Sequence, residues 1–170
     1  MSLTHQEIEW LSNALKNIGL FSVCTVGEIK EIMTAVTKRH FDKGNIIIKQ
    51  GEAGDFFFII GQGDVSVSID EKGRTMNKIA TLKAGDYFGE ISLLTGQVRN
   101  ATIIADTPCE LFLIYRTEFL GLLSRNPSLE VRFLKDVEKR LMERNYVMSH
   151  SQERKTGFFQ KIKKTLGGNR

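Results

Sequence analysis

The stretch "GDYFGEISLLTGQVRNATIIAD", residues 85–106, ends in a β-rich run and contains a single basic side chain, Arg99. Its run "ATIIA" is one of several short β-rich segments between His40 and Tyr115, and glycines separate these segments. The other segments are "NIIIKQ", "DFFFIIGQ", "DVSVSI", "MNKIATL" and "ELFLIY". In "DVSVSI" apolar and polar residues alternate, which predicts a half-exposed strand. Many short strands with evenly placed turns predict an antiparallel β-roll, that is, a jelly-roll barrel, rather than a parallel sheet.

Helical patterns lie on both sides of this β-rich region. Thr4 and Glu7 form a capping-box signal ahead of an amphipathic run, and "TVGEIKEIMTAV" repeats the helical period. After Tyr115 the run "TEFLGLLSRN" is helical and ends at Pro127, which begins a second helix. The predicted fold class is therefore α+β. N-terminal helices are expected over about 4–36, the β-roll over about 38–115 and two C-terminal helices over about 116–149.

We expect residues 1–150 to form a single domain and residues 151–170 to form a basic, flexible tail. The tail holds six basic residues and one acidic residue, so residues 1–150 carry 18 basic and 19 acidic side chains. Because the body of the chain is not basic, its charge does not support nucleic-acid binding. The tail segment "GFFQKIKKTLGG" has the pattern of a basic amphipathic segment that could touch anionic lipid, but a solvated end is expected.

Several classes of protein are excluded by what the chain lacks. No apolar run approaches the ~18 residues of a membrane span, and the N-terminus lacks the plan of a signal peptide, so we expect a cytoplasmic protein. Cys24 and Cys109 form no CxxC pair, and we expect both to be small core residues. The three histidines have no ligand spacing to one another or to the cysteines, so no metal site is expected.

The residues before and at Arg99 predict an anion site. The pattern predicts a very short helix from Glu90 to Thr95, and a helix start offers unpaired N–H groups and partial positive charge. Arg99 follows the turn that closes this helix, and its guanidinium can supply two parallel donors that match phosphate oxygens. Glu90 would be repelled by an anion unless it accepts a hydrogen bond from a sugar hydroxyl. The alternatives are a solvated Arg99, an Arg99 paired with Asp86 or Glu90, and a Glu90 that serves only the helix start.

The run "FGEISLLTGQVRNATIIA", residues 88–105, resembles the phosphate-binding cassette of the cyclic nucleotide-binding domain family, and we call these residues the cassette. The family includes regulatory subunits of cyclic AMP-dependent kinase, catabolite activator proteins and cyclic nucleotide-gated channels. The preceding "FDKGNIIIKQGEAGDFFFIIGQGDVSVSI" is similar to the family's first strands, and the likeness runs from about Leu15 to Asn145. The cassette signal is specific because an FGE corner, an apolar one-turn helix and an RxAT ending coincide at the family's spacing.

The resemblance implies a role for individual residues of this chain. Glu90 corresponds to the cassette glutamate that accepts the ribose 2′-OH, and Arg99 to the arginine that pairs with the exocyclic phosphate. Arg140, on the last helix, falls where channel-like members place an arginine over the purine. Backbone N–H groups would complete the lining, and these belong to Gly89, Ile91, Ser92, Asn100 and Ala101.

Two positions depart from the family's pattern. Proline commonly precedes the cassette arginine, whereas this chain has Val98, which leaves the loop 96–99 less preset and costs some affinity through ordering. Threonine at the position of Asn100 bonds the guanine amino group in cyclic GMP-preferring relatives, while small residues suit cyclic AMP. Since asparagine can also accept such a bond, cAMP is the favoured ligand by a small margin and cGMP is the alternative.

The sequence thus favours a non-enzymatic regulatory module that binds a cyclic nucleotide and acts on an effector protein that the sequence does not identify. Its last helix is expected to be a moving lid that docks over the occupied site through an apolar stripe. That stripe consists of Leu129, Phe133, Val137 and Leu141. The same helix could pair with a second copy of the chain, so the oligomeric state stays open.

Three other functions fit the sequence less well. A DNA-binding regulator of the catabolite-activator type would need a helix-turn-helix domain, and we expect the roughly 20 residues that follow the long helix in this sequence to be too few to form one. A cupin-type metalloenzyme would need a cluster of histidines and carboxylates inside the barrel, and only His40 lies in the strand region. An interaction scaffold that has lost its ligand is disfavoured because Glu90 and Arg99 are both present.

Overall fold

The computed structural model describes residues 3–18, 21–22, 24–70, 75–91 and 96–147. The helices are α1 (His5–Asn17), α2 (Val26–Thr34), α3 (Arg116–Arg125) and α4 (Pro127–Val147). The strands are β1 (Thr37–Phe41), β2 (Ile46–Ile48), β3 (Phe56–Gln62), β4 (Val65–Asp70), β5 (Met76–Leu82), β6 (Tyr87–Phe88), β7 (Thr102–Ala105) and β8 (Cys109–Tyr115). The predicted tail and Ser92 lie outside the described residues, as do the side chains of Val137, Arg140 and Leu141.

Capping boxes fix the starts of the two N-terminal helices. At α1 the N–H of Thr4 donates to Glu7 Oε2 over 2.7 Å, and the N–H of Glu7 donates to Thr4 Oγ1 over 3.3 Å, so the predicted box is confirmed. Thr25 and Glu28 form the same box at α2. Each box satisfies backbone donors that the helix itself leaves without a partner. Lys38 of β1 forms an ion pair with Glu7, which ties α1 to the β-roll.

The strands form two antiparallel sheets of four strands, so the predicted β-roll is confirmed. One sheet has the order β1-β8-β3-β6 and the other the order β2-β7-β4-β5. The turn from β3 to β4 depends on Gly63, which has φ +91. A Cβ at this position would lie 2.5 Å from the carbonyl oxygen of Pro108, so a larger residue would be both strained and too close.

The prediction that β4 is half-exposed is wrong, because both of its faces are buried. Ser66 and Ser68 each keep only 6% of their accessible surface. In the sheet β4 lies between β7 and β5. Lys78 of β5 pairs in register with Ser68 and its Nζ lies 2.8 Å from Asp106 Oδ2, while Ser66 also bonds to that carboxylate. Alternation alone therefore does not distinguish an exposed face of a strand from a buried face that carries small polar residues.

Aromatic side chains join the first sheet to the helices. Phe57 of β3 stacks on Phe119 of α3 with ring centroids 5.2 Å apart, and Phe119 contacts Phe133 of α4 at 4.9 Å. These rings are fully buried, as is Phe21 between α1 and α2. A second cluster fills the inside of the roll; it includes Phe58, Ile60, Phe88, Leu111 and Leu113.

The start of α4 is fixed by packing and by one amide. Leu129 and Phe133 are both fully buried against residues of the helical core. Asn126 Oδ1 accepts from the N–H of Leu129 over 3.0 Å, and Asn126 Nδ2 donates to Glu28 over 2.8 Å. The expectation that the whole apolar stripe docks over an occupied site is thus corrected, since its first half already packs on α3. The lid hypothesis is left with the part of α4 after Phe133.

Candidate functional site

The cassette connects the two sheets at one end of the roll. β6 ends at Phe88 and β7 begins at Thr102, so residues 89–101 pass from one sheet to the other. Gly89 has φ +90, and a Cβ there would lie 2.8 Å from Arg99 Nη1 and 2.9 Å from the carbonyl oxygen of Phe56. Glycine is therefore required at this corner because the guanidinium of Arg99 passes directly beside it.

The guanidinium of Arg99 is held by backbone carbonyls. Nη1 donates to the carbonyl oxygen of Gly89 over 3.0 Å, and Nη2 donates to that of Phe56 over 2.8 Å. The guanidinium carbon also lies 5.8 Å from the ring centroid of Phe58. Only 3% of Arg99 is exposed. These contacts fix the orientation of a buried cation at the end of the roll.

The charge of this cation is balanced in part by two carboxylates. Burial lowers the pKa of the Arg99 guanidinium, and the negative charges of Asp55 and Glu90 act in the opposite direction. An arginine remains protonated at neutral pH even after such a shift. The site therefore presents a fixed positive charge, as binding of an anion such as phosphate requires.

The backbone of Arg99 forms hydrogen bonds with residues 51–52, a loop that the sequence pattern does not predict as part of the site. The N–H of Arg99 donates to the carbonyl of Glu52 over 2.7 Å, and the N–H of Gly51 donates to the carbonyl of Arg99 over 2.8 Å. Gln50 anchors this loop, since its side-chain amide exchanges hydrogen bonds of 2.8 and 3.1 Å with the backbone of Asp70. The signal was present in the sequence, because "KQGE" places a turn glycine beside two polar residues between strands.

Glu90 follows Gly89 and begins the helical segment of the cassette, of which residues 90–91 are described. Its side chain is buried, with 4% exposed, and Ile91 packs against the helix-facing core. On the other side of Arg99, Asn100 is half-buried and Ala101 is buried. The structure thus brings Glu90 and Arg99 together. The backbone of Arg140 belongs to α4, and its side chain lies outside the described part.

Comparison with known families bears directly on this site. A family model described as "Cyclic nucleotide-binding domain" matches residues 38–126, more than half of the chain. The chain belongs to the cyclic nucleotide-binding domain family. The match spans β1 to the end of α3 and therefore contains the whole cassette of this cyclic nucleotide-binding domain.

Relatives of this cyclic nucleotide-binding domain occur in cyclic nucleotide-dependent kinases. A cGMP-dependent protein kinase of Caenorhabditis elegans is 36% identical over 122 residues, which cover 71% of this chain and 16% of the kinase. A cAMP-dependent protein kinase regulatory subunit of Yarrowia lipolytica is 34% identical over 120 residues, which cover 71% of this chain and 31% of the subunit. The chain thus spans about a third or less of these relatives. The homologous regions are regulatory domains and are not catalytic.

Solved structures give the same result for the fold. The regulatory domain of Toxoplasma gondii PKA, crystallised with cAMP, has a TM-score of 0.69 and 25% sequence identity to this chain. The similarity covers 78% of this chain and 51% of that chain. The resemblance inferred from the cassette is therefore confirmed at the level of family and fold.

Val98 is a departure from the family's pattern. Val98, which stands where the family commonly has proline, is 57% exposed, so the substitution changes the loop surface rather than its packing.

Within the described residues no cluster of three metal-ligating side chains occurs, and no helix is long and apolar enough to cross a membrane. Cys109 is buried, and burial raises the pKa of the half-buried Cys24 to about 11, so neither thiol is predisposed to react.

Proposed function

We propose that this chain is a cytoplasmic regulatory module that binds a cyclic nucleotide at the cassette, with a preference for cAMP, and that transmits binding to an effector protein. Arg99 would pair with the cyclic phosphate, and Glu90 would accept the hydrogen bond of the ribose 2′-OH. Backbone N–H groups at the start of the cassette helix would complete the lining. Arg140 would meet the purine when the second half of α4 closes.

The observation that carries this proposal is the burial of two opposite charges in one short segment. Glu90 keeps 4% of its accessible surface and Arg99 keeps 3%, and the two residues are nine positions apart in the sequence. Burying charged groups is costly unless they are paired and hydrogen-bonded. A ligand with both an anionic group and a hydroxyl group gives both charges a function in one site.

Both cAMP and cGMP are compatible with Asn100 and with the relatives. Asn100, at the position that contacts the base in the family, can accept a hydrogen bond from guanine but is also compatible with adenine. The relatives include both a cAMP-dependent regulatory subunit and a cGMP-dependent kinase. We propose cAMP as the preferred ligand and cGMP as the second candidate, and direct titration with both decides between them.

Replacing Arg99 tests the proposed site. Removing one partner of a buried charge pair costs about 2–5 kcal/mol, so Arg99→Ala should weaken cAMP by at least about thirtyfold in isothermal titration calorimetry. The carbonyls of Gly89 and Phe56 lose their donor in this variant, which should lower the free energy of unfolding by about 1–3 kcal/mol. Arg99→Lys keeps the positive charge but loses the two-pronged donor geometry, so it should bind more weakly than wild type with less loss of stability.

The matched control is Arg125→Ala, because Arg125 is an exposed arginine whose guanidinium pairs with Glu31 at 2.5 Å. This variant should bind cAMP as wild type does. If Arg99→Ala loses less than about fivefold in affinity while remaining folded, Arg99 does not contact the phosphate and the proposed site is wrong.

A further inference from the structure

A cleft outside the cassette lies between α2 and α3. Its volume is about 330 Å³, at the lower end of the ~300–1,000 Å³ that is usual for ligand pockets. Glu31, Glu118 and Arg125 line it, and the guanidinium of Arg125 joins the two helices through an ion pair of 2.5 Å with Glu31. Buried apolar side chains of α2, β8 and α3 form its floor, and these are Ile32, Ile114, Phe119 and Leu122. The cleft thus combines an apolar floor with two carboxylates and one paired guanidinium.

Gly121 indicates that another segment approaches this cleft. It lies inside α3 and lines the cleft, and a glycine inside a helix lowers stability relative to alanine. Its backbone is helical, so its conformation does not require glycine. Among the described residues, the atom nearest to a Cβ built there would be Arg125 Nη2 at 4.0 Å, so packing does not require glycine either. A segment that comes close to the helix backbone at this point would account for the missing side chain.

The tail of this chain has the composition that such a cleft would bind. Its segment "GFFQKIKKTL", residues 157–166, lies outside the described residues and carries three lysines and four large apolar side chains. At the helical spacing of about 100° per residue, the four apolar side chains would share one face. They are Phe158, Phe159, Ile162 and Leu166. An apolar side chain of this segment fits the floor of the cleft, and the lysines beside it complement Glu31 and Glu118.

The length of the chain allows the tail to return to the cleft. Helix α4 has 21 residues and begins directly after α3, so at a rise of about 1.5 Å per residue it ends about 30 Å from its start. Phe158 is 11 positions beyond Val147, the last residue of α4, and an extended segment of that length spans up to about 36 Å. A tethered segment also meets its site at an effective concentration of about millimolar, so a weak intrinsic affinity suffices.

We propose that residues 157–166 dock in the cleft between α2 and α3, with an aromatic side chain against Gly121 and lysines beside Glu31 and Glu118. The sequence alone predicts a solvated end for this segment, and the cleft is the surface that holds it instead. The cleft is therefore an intramolecular binding site, for which an effector segment of the same basic and aromatic chemistry would compete. This inference goes beyond the proposed function and does not depend on nucleotide binding.

Photo-cross-linking of the full chain tests this docking. A benzophenone amino acid replaces Phe158, and mass spectrometry identifies the residues to which it attaches after irradiation. We expect attachment within one chain, to residues 31–35 or 117–122. Gly121→Leu fills the cleft and should lower the yield of this product at least about fivefold, because a clash now opposes docking. Gly27→Leu is the matched control at a helical glycine that does not line the cleft, and it should leave the yield unchanged.

Charge reversal supplies a second variant, which decides the matter if Gly121→Leu does not fold. Glu118→Lys places a cation beside the lysines of the tail and should lower the yield at least about threefold at low salt, with a smaller effect at high salt because ions screen the repulsion. Glu9→Lys, which alters an exposed glutamate of α1, is the control and should leave the yield unchanged.

Three results would overturn the inference. The first is attachment elsewhere, for example in the groove between α1 and residues 84–87 that Trp10 lines. The second is a cross-linked dimer in place of the intrachain product, since the tail would then dock on a second copy. The third is an equal yield in the cleft variants and their controls. Because no nucleotide is present in these measurements, a chain that gives the expected product but binds neither cAMP nor cGMP overturns the proposed function and supports this inference.

Discussion

Arg99 and Glu90 are the two residues of the site whose function the sequence predicts. Their identity and spacing were sufficient to predict an anion site beside a hydroxyl-binding group, and both are buried within the cassette. The carbonyl acceptors of the guanidinium were not predictable, because Phe56 is 43 residues away in sequence and contributes only a backbone oxygen. Gly89 is explained only by the structure, where a Cβ would meet both the guanidinium and that oxygen.

The role of Glu90 gives a prediction at the scale of one residue. If its carboxylate accepts the ribose 2′-OH, 2′-deoxy-cAMP should bind to wild type more weakly than cAMP by about 1–3 kcal/mol, because a buried charged acceptor loses its donor. In Glu90→Gln the difference between the two ligands should be smaller, since a neutral amide oxygen is a weaker acceptor. Calorimetry with both ligands on both proteins measures this. Glu118→Gln, which alters an exposed glutamate of α3, is the control and should keep the wild-type difference in affinity between the two ligands. If this difference is equal in all three proteins, Glu90 does not bind the ribose and serves only the helix start.

At the scale of elements, helix α4 has two parts with different environments. Leu129 and Phe133 are fully buried, and the ring of Phe133 lies 4.9 Å from that of Phe119. Farther along, Met142 is 51% exposed. A helix anchored at its first turns and exposed later can move its second half without losing its attachment, so the lid is expected in that half.

Hydrogen exchange tests this division directly. Amides of residues 138–147 should exchange about tenfold more slowly with saturating cAMP, because docking on the nucleotide adds protection, a coupling within the range usual for linked sites. Amides of residues 129–133 act as an internal control and should exchange at one rate with and without nucleotide, since their packing comes from α3. If the two parts of α4 respond alike, or if residues 138–147 do not respond, the helix is not a lid of the proposed kind.

Most of the fold could be predicted from the sequence, because turns and helix starts depend on residues that are close together in the chain. Glycines such as Gly63 and Gly85 mark the turns, and the capping box at Thr4 marks the first helix. The sequence does not predict the very short strand β6, because two residues do not establish a period. The alternation in β4 predicts the strand correctly but its half-exposure wrongly, because the buried Ser66 depends on a partner, Asp106, from elsewhere in the chain. What the sequence did not reveal for β4 is a contact between distant segments.

We propose that Arg99 binds the phosphate of a cyclic nucleotide at the end of the roll. The most direct measurement is a crystal structure of the chain with cAMP. We expect phosphate oxygens about 2.7–2.9 Å from guanidinium nitrogens of Arg99, the range of charge-assisted hydrogen bonds, with the ribose 2′-OH at about 2.5–2.7 Å from the Glu90 carboxylate. The proposal is wrong if cAMP lies elsewhere on the protein in the complex. Arg99 would then contact no phosphate oxygen and would donate to the carbonyls of Gly89 and Phe56 as it does here.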